Sequence, residues 1–359
     1  MSLALAMVLA AADLQALRPA VPPQRVYSVA WQRSLAPADL LDWQLEESGS
    51  PAVDAASRTV VAGARGGVLR AFRDDGTELW DYETGGGFAG GPLIQGGTVY
   101  AGSLDGALFA LDLASGKPRW RVELGLEVGA TPILVKGLLI VATLQDEVVA
   151  VDAATGARKW HHRRDREGMT IRGCARPVLA RGLVIAAYSD GSVVGLDPAS
   201  GAARWERKVA PAGEFVDVDG LAADDRAIYA AAYSGAVLAL DAESGKTLWE
   251  KKEPGATRLA AGDGQVYVSS TARVAAYSAR DGALRWSQPL QGMPAAPALR
   301  AGSRLLVPSG KGMLVLDPGS GKPLRTFEPG TGVSATPAAL GRRVYTLSNA
   351  GALTALDLE

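Results

Sequence analysis

Ala107-Leu108-Phe109-Ala110-Leu111-Asp112-Leu113-Ala114-Ser115-Gly116-Lys117-Pro118-Arg119-Trp120-Arg121-Val122 is the stretch from which the architecture can be read. An apolar run of strand length reaches Asp112, and a second run begins at Lys117 and carries Trp120. Between them lies a tight turn. The Asp side chain can accept backbone N–H groups across it, and Gly supplies the positive φ that other residues resist. Upstream, 92–94, the Gly96-Gly97 turn, 98–102 and the Leu104-Asp105-Gly106 turn complete a unit of four short strands.

The unit recurs. Asp112-Gly116-Trp120 is followed by Asp152-Gly156-Trp160, Asp197-Gly201-Trp205 and Asp241-Gly245-Trp249. Altered copies keep the frame: Ser278-Gly282-Trp286, Asp317-Gly321 with Arg325 in place of Trp, and Gly76-Trp80 preceded by Arg73 with one residue deleted. The intervals from Trp80 to Arg325 are 40, 40, 45, 44, 37 and 39 residues. Third strands such as 237–240 are apolar on both faces, so each sheet must lie between neighbours, with the Trp as a plate packed between them. Four antiparallel strands at this period predict an all-β, eight-bladed β-propeller. The eighth unit begins at Ala335-Thr336-Pro337 and lacks an outer strand, which 26–31 has the character to supply. Closing the ring with both chain ends buries both edges. Seven blades is the competing count, should that strand not join.

Composition agrees. A hydrophobic content of 48% against 21% charged residues excludes a disordered chain. The net charge of −1 offers no basic excess for a nucleic acid. The single cysteine, Cys174, cannot form an internal disulfide and reads as a small buried apolar residue. No Cys/His group has zinc-site spacing. His161 and His162 are adjacent, so on a strand they point to opposite faces and make a poor dyad.

Residues 3–12 form an apolar run too short to span a bilayer, and they look like the core and cleavage site of a secretory signal. The first basic residue is Arg18, so the usual positive start is missing. The expected organisation is a signal-like segment over 1–12, a leader over 13–25 and one propeller domain over 26–359. No cysteine follows the apolar run to carry a lipid.

The Leu-Asp-x-x-[Ser/Thr]-Gly-x-x-x-Trp signature resembles the repeats of pyrroloquinoline-quinone (PQQ)-type propellers and covers nearly the whole chain from about residue 26. That family holds quinoprotein dehydrogenases and non-catalytic scaffolds of the BamB type. The dehydrogenase branch implies a longer chain, in many cases vicinal cysteines, a calcium ion held by a Glu/Asn/Asp set, and an Asp base; this sequence offers no evident place for them. In the scaffold branch, Met169-Thr170-Ile171-Arg172-Gly173-Cys174-Ala175-Arg176-Pro177 is similar to the segment entering the fourth blade. Asp217-Val218-Asp219 is similar to the Asp-x-Asp entering the fifth. The resemblance implies that Met169, Ile171, Arg172, Asp217 and Asp219 contact the POTRA domains of a BamA-type barrel subunit. Cys174, Arg176 and Gly220 depart from that pattern, as does the missing anchor cysteine.

Spacing points to the same residues. The two longest intervals bracket consecutive outer-to-inner connections, which emerge on one face as neighbours. Their extra residues predict a raised patch with an apolar centre, an Arg anchor and flanking charges, as protein-binding hot spots require. Arg163-Arg164-Asp165-Arg166-Glu167 reads as a solvated loop face. With the resemblance to the scaffold branch, the expectation is a non-enzymatic periplasmic scaffold of outer-membrane barrel assembly. It would need no metal or cofactor and would be a monomer within a complex with other assembly subunits, serving unfolded outer-membrane proteins. A quinoprotein-like enzyme and a general envelope interaction module are the alternatives.

Overall fold

A computed structural model describes residues 25–35, 47–165, 174–210 and 216–359. The chain forms eight four-stranded antiparallel sheets, each running from inner to outer strand in chain order except the last. Blades 1 to 7 occupy 52–83, 93–123, 133–163, 178–208, 218–252, 258–289 and 299–327. Blade 8 takes its three inner strands from the C-terminus, Ala338–Leu340, Arg343–Leu347 and Ala352–Leu358, and its outer strand, Tyr27–Ser34, from the N-terminus. The register runs from Tyr27 opposite Leu358 to Ser34 opposite Ala352, with a bulge between Val29 and Trp31. Eight blades is thus the correct count. Among the described residues no helix is long and apolar enough to cross a membrane.

The core lies between the blades. Eight buried apolar clusters fill eight seams, and each draws on two neighbouring sheets. The doubly apolar third strands explain this. In Glu147–Asp152 the side chains of Val148 to Val151 are all buried, because each sheet face meets another sheet.

The repeat signature supplies the joint. Each Trp indole N–H donates across the seam to a carbonyl of the next blade's turn: Trp80 to Leu113 (2.8 Å), Trp120 to Ala153 (3.0 Å), Trp160 to Pro198 (2.9 Å), Trp205 to Ala242 (3.0 Å), Trp249 to Ala279 (3.1 Å) and Trp286 to Pro318 (2.9 Å). The ring then lies against the Gly of that turn. At Gly201, where φ is +72°, an added Cβ would come within 2.5 Å of the Trp160 ring. Within the turns, one carboxylate oxygen of Asp112 accepts the Ser115 N–H and hydroxyl, and Asp152, Asp197 and Asp241 do the same with Thr155, Ser200 and Ser244. The repeated aspartates are thus turn-forming residues.

Strand alternation gives the disc two faces. Inner hairpins and Asp–Gly turns share one, here the turn face. Outer-to-inner connections and the central hairpin turns share the other, the loop face.

Candidate partner-binding site

Both connections singled out by their length leave outer strands toward the loop face, one entering blade 4 and the next entering blade 5. Met169, Ile171 and Arg172 lie outside the described residues. The residues flanking them are held firmly. The Arg164 N–H donates to the Asp146 carbonyl (3.0 Å), and its guanidinium reaches Asp190 at 3.1 Å and Glu206 at 2.5 Å, both in blade 4. Arg164 is three-quarters covered. It is a clamp between blades rather than part of a solvated face, which corrects the sequence expectation for this residue.

The two histidines diverge as strand geometry requires. His161 Nδ1 lies 2.9 Å from Glu147, and His162 Nδ1 lies 2.7 Å from the hydroxyl of Tyr188 in the next blade. Burial, followed by the Arg164 charge, lowers the His162 pKa. Burial raises that of the fully enclosed Tyr188 phenol, which keeps its proton. Cys174 is half-buried rather than buried, with its Sγ 3.6 Å from the Thr143 carbonyl.

The second connection is fastened to the same place. The Val209 N–H donates to Gly191, the Val218 N–H reaches the Tyr188 carbonyl, and the Asp217 carbonyl accepts the Tyr233 N–H at 3.2 Å. Asp217 is only 1% exposed. The raised patch that spacing predicts therefore does not include its side chain at the surface: blade 5's entry packs down against the central hairpins. Asp219 is partly exposed. Burial pushes its carboxyl up to about 6, with Arg258 opposing and Asp217 adding to the shift.

The connections do converge. Cys174 and Ala175 from the first, with Val218 and Asp219 from the second, line one small cavity of about 10 Å³ together with Tyr188 and Asp146. The neighbourhood expected of consecutive connections is present around the described residues. Sequence reasoning missed Arg164, Tyr188 and Trp31. Only Trp31 carried a usable signal, as a further Trp standing ahead of the first complete repeat.

Eight sheets of this repeat define a PQQ-type β-propeller. The chain belongs to the family of the outer membrane protein assembly factor BamB, whose family model matches residues 64–288 and 270–359. The crystal structure of BamB from Moraxella catarrhalis is similar at 25% identity and a TM-score of 0.78, covering 93% of this chain and 100% of that one. A quinohemoprotein alcohol dehydrogenase from Comamonas testosteroni shares the fold at 17% identity and a TM-score of 0.73, over 93% of this chain and 77% of its own. The computationally designed Ika8 protein does so at 17% identity and a TM-score of 0.72, over 89% and 98%. No curated protein sequence matches the chain.

The dehydrogenases of this fold class imply a quinone with calcium. Among the described residues no three His, Cys, Asp or Glu side chains gather so as to hold a metal ion. Inner strands Ile133–Val135 and Val178–Ala180 are wholly apolar, whereas Val218–Ala223 carries Asp219 and Arg258–Gly262 begins with Arg258.

Proposed function

We propose that the protein is a non-catalytic, periplasmic scaffold of outer-membrane β-barrel assembly, associated with the outer membrane through its partners. The loop-face connections entering blades 4 and 5 bind POTRA domains of a BamA-type subunit. Family membership across 64–359 is the observation that carries this reading. The convergence of the two connections on one cavity supports its placement. Met169, Ile171 and Arg172 supply the apolar and cationic contacts, Asp219 the acidic one, and the covered Asp217 positions the second connection. Residues 1–12 direct export. The mechanism is presentation from a rigid support: seams filled on both sides fix blades 3, 4 and 5 relative to one another, which lowers the ordering cost of binding across them.

Arg172→Asp tests it. Co-purification with a POTRA-containing partner is expected to be lost while the thermal transition stays within about 2 °C of the parent. Undiminished capture by the variant would remove these connections from the interface.

A further inference from the structure

On the turn face, blades 2, 3 and 4 contain an internal ion pair in which the turn Asp meets the basic residue just before the Trp; blades 1, 5 and 7 carry Leu79, Leu248 and Leu324 at that basic position. Asp112 and Arg119 approach to 2.9 Å, Asp152 and Lys159 to 3.5 Å, and Asp197 and Arg204 to 2.7 Å. Blade 6 breaks the pair on the acidic side alone. Ser278 stands at the Asp position, while Arg285 remains before Trp286. The turn does not need the carboxylate, since the Gly282 N–H still donates to Ser278 (2.9 Å) and the Ser278 N–H to Ala283 (2.8 Å). What the substitution changes is the state of Arg285.

Arg285 lines a cleft of about 720 Å³ between the turn-face loops of blades 5 and 6, together with Arg226 and Arg280. Among the described residues none of these three guanidiniums makes a hydrogen bond or an ion pair within 4 Å. The Ala283 N–H and then Ser278 lead in lowering the pKa of the neighbouring Asp281, and Arg285 and Arg280 act on it only through their charge. The cleft's acids are largely engaged. Asp224 accepts the N–H groups of Arg226 and Ala227 and the Tyr229 hydroxyl, at 2.8 to 2.9 Å. Asp263 faces Arg300 at 3.5 Å, and Asp281 accepts the Ala283 N–H at 3.0 Å. Asp225 is the fourth acid. The cleft has the volume of a small-molecule site.

We propose that this cleft binds a small molecule bearing an oxyanion, phosphate or carboxylate, with Arg285 as its anchor and Arg226 and Arg280 as flanking donors. Asp224, Asp225, Asp263 and Asp281 outnumber the three arginines by one, so the cleft offers an anion no long-range attraction and recognition rests on short charge-assisted hydrogen bonds. The site lies on the face opposite the partner-binding connections and does not depend on them.

Titration of the full-length protein with sodium pyrophosphate and, separately, citrate, at fixed ionic strength and followed by calorimetry, tests the proposal. Saturable binding of at least one probe is expected, and which of the two binds separates phosphate from carboxylate. Arg285→Ala should weaken it at least tenfold. Ser278→Asp, which restores the repeat's own ion pair, should do the same without lowering the thermal midpoint. Absence of binding by both probes, or binding unchanged in Arg285→Ala, overturns it.

Discussion

At the residue scale, one position per unit meets two demands that only Gly satisfies together. Gly201 sits at φ +72° and beneath the Trp160 ring, and Gly245 sits at φ +67° and beneath Trp205, with an added Cβ 2.5 Å from the indole in both. A methyl group at either place pays for left-handed strain and also displaces the plate. Gly201→Ala is expected to destabilise the fold by about 2–4 kcal/mol, from strain plus overpacking. A urea midpoint equal to the parent's would show that the plate is not seated there. Asp219 poses the opposite case. Its folded pKa is raised to about 6, so protonation stabilises the native state; that contribution is complete below the ordinary carboxylate range and is lost as pH rises through 6. Above that pH the native protein carries a poorly solvated charge. Asp219→Asn should therefore raise stability at pH 7.5 by about 1–3 kcal/mol. The gain should shrink between pH 6 and 4 and vanish below. A gain independent of pH in urea titrations would rule this account out.

At the element scale, what was legible in the sequence depended on whether the determinant was local. The four-strand unit could be read because turn chemistry, the Trp and the doubly apolar third strand all sit within one repeat. The connections could be located by their length, but length says nothing of how a segment packs. Asp217 looked like a displayed carboxylate, yet its burial arises from the central hairpins of blades 4 and 5, residues distant in sequence. Arg164 looked solvated because its neighbours in the chain are charged. Its partners, Asp190 and Glu206, come from the next blade, 26 and 42 positions on. The empty pairing position at Ser278 was also visible as an altered copy, but its consequence for Arg285 needed the seam between blades 5 and 6.

At the scale of the whole molecule, the ring must meet itself, and the sequence irregularities gather where it does. The strand Tyr27–Ser34 brings Trp31 into the seam with blade 1. There its indole N–H donates to the Asp74 carbonyl at 2.7 Å, and its ring lies against Gly76. Trp31 therefore repeats what the other six plates do, from the far end of the chain. The missing Trp at 325 follows from the same closure. Blade 8 takes its outer strand from the N-terminus, and at this seam Arg325 stacks 5.3 Å over Tyr27, whose hydroxyl donates to the Thr326 carbonyl. Seven seams are thus closed by Trp on Gly and one by Arg on Tyr. Trp31→Ala removes a nearly buried plate at the one seam whose two sides are far apart in sequence. It is expected to cost about 3–5 kcal/mol. Arg325→Trp should yield little, since the Tyr27 ring faces that position. The wider consequence concerns cooperativity: with the closing strand loosened, blade 8 exposes the edge of Ala352–Leu358, and the ring becomes an open array that can unfold from its ends. Denaturation of Trp31→Ala should therefore show a shallower transition as well as an earlier one. A shift of midpoint with the slope intact would mean that the outer strand adds stability without holding the circle shut.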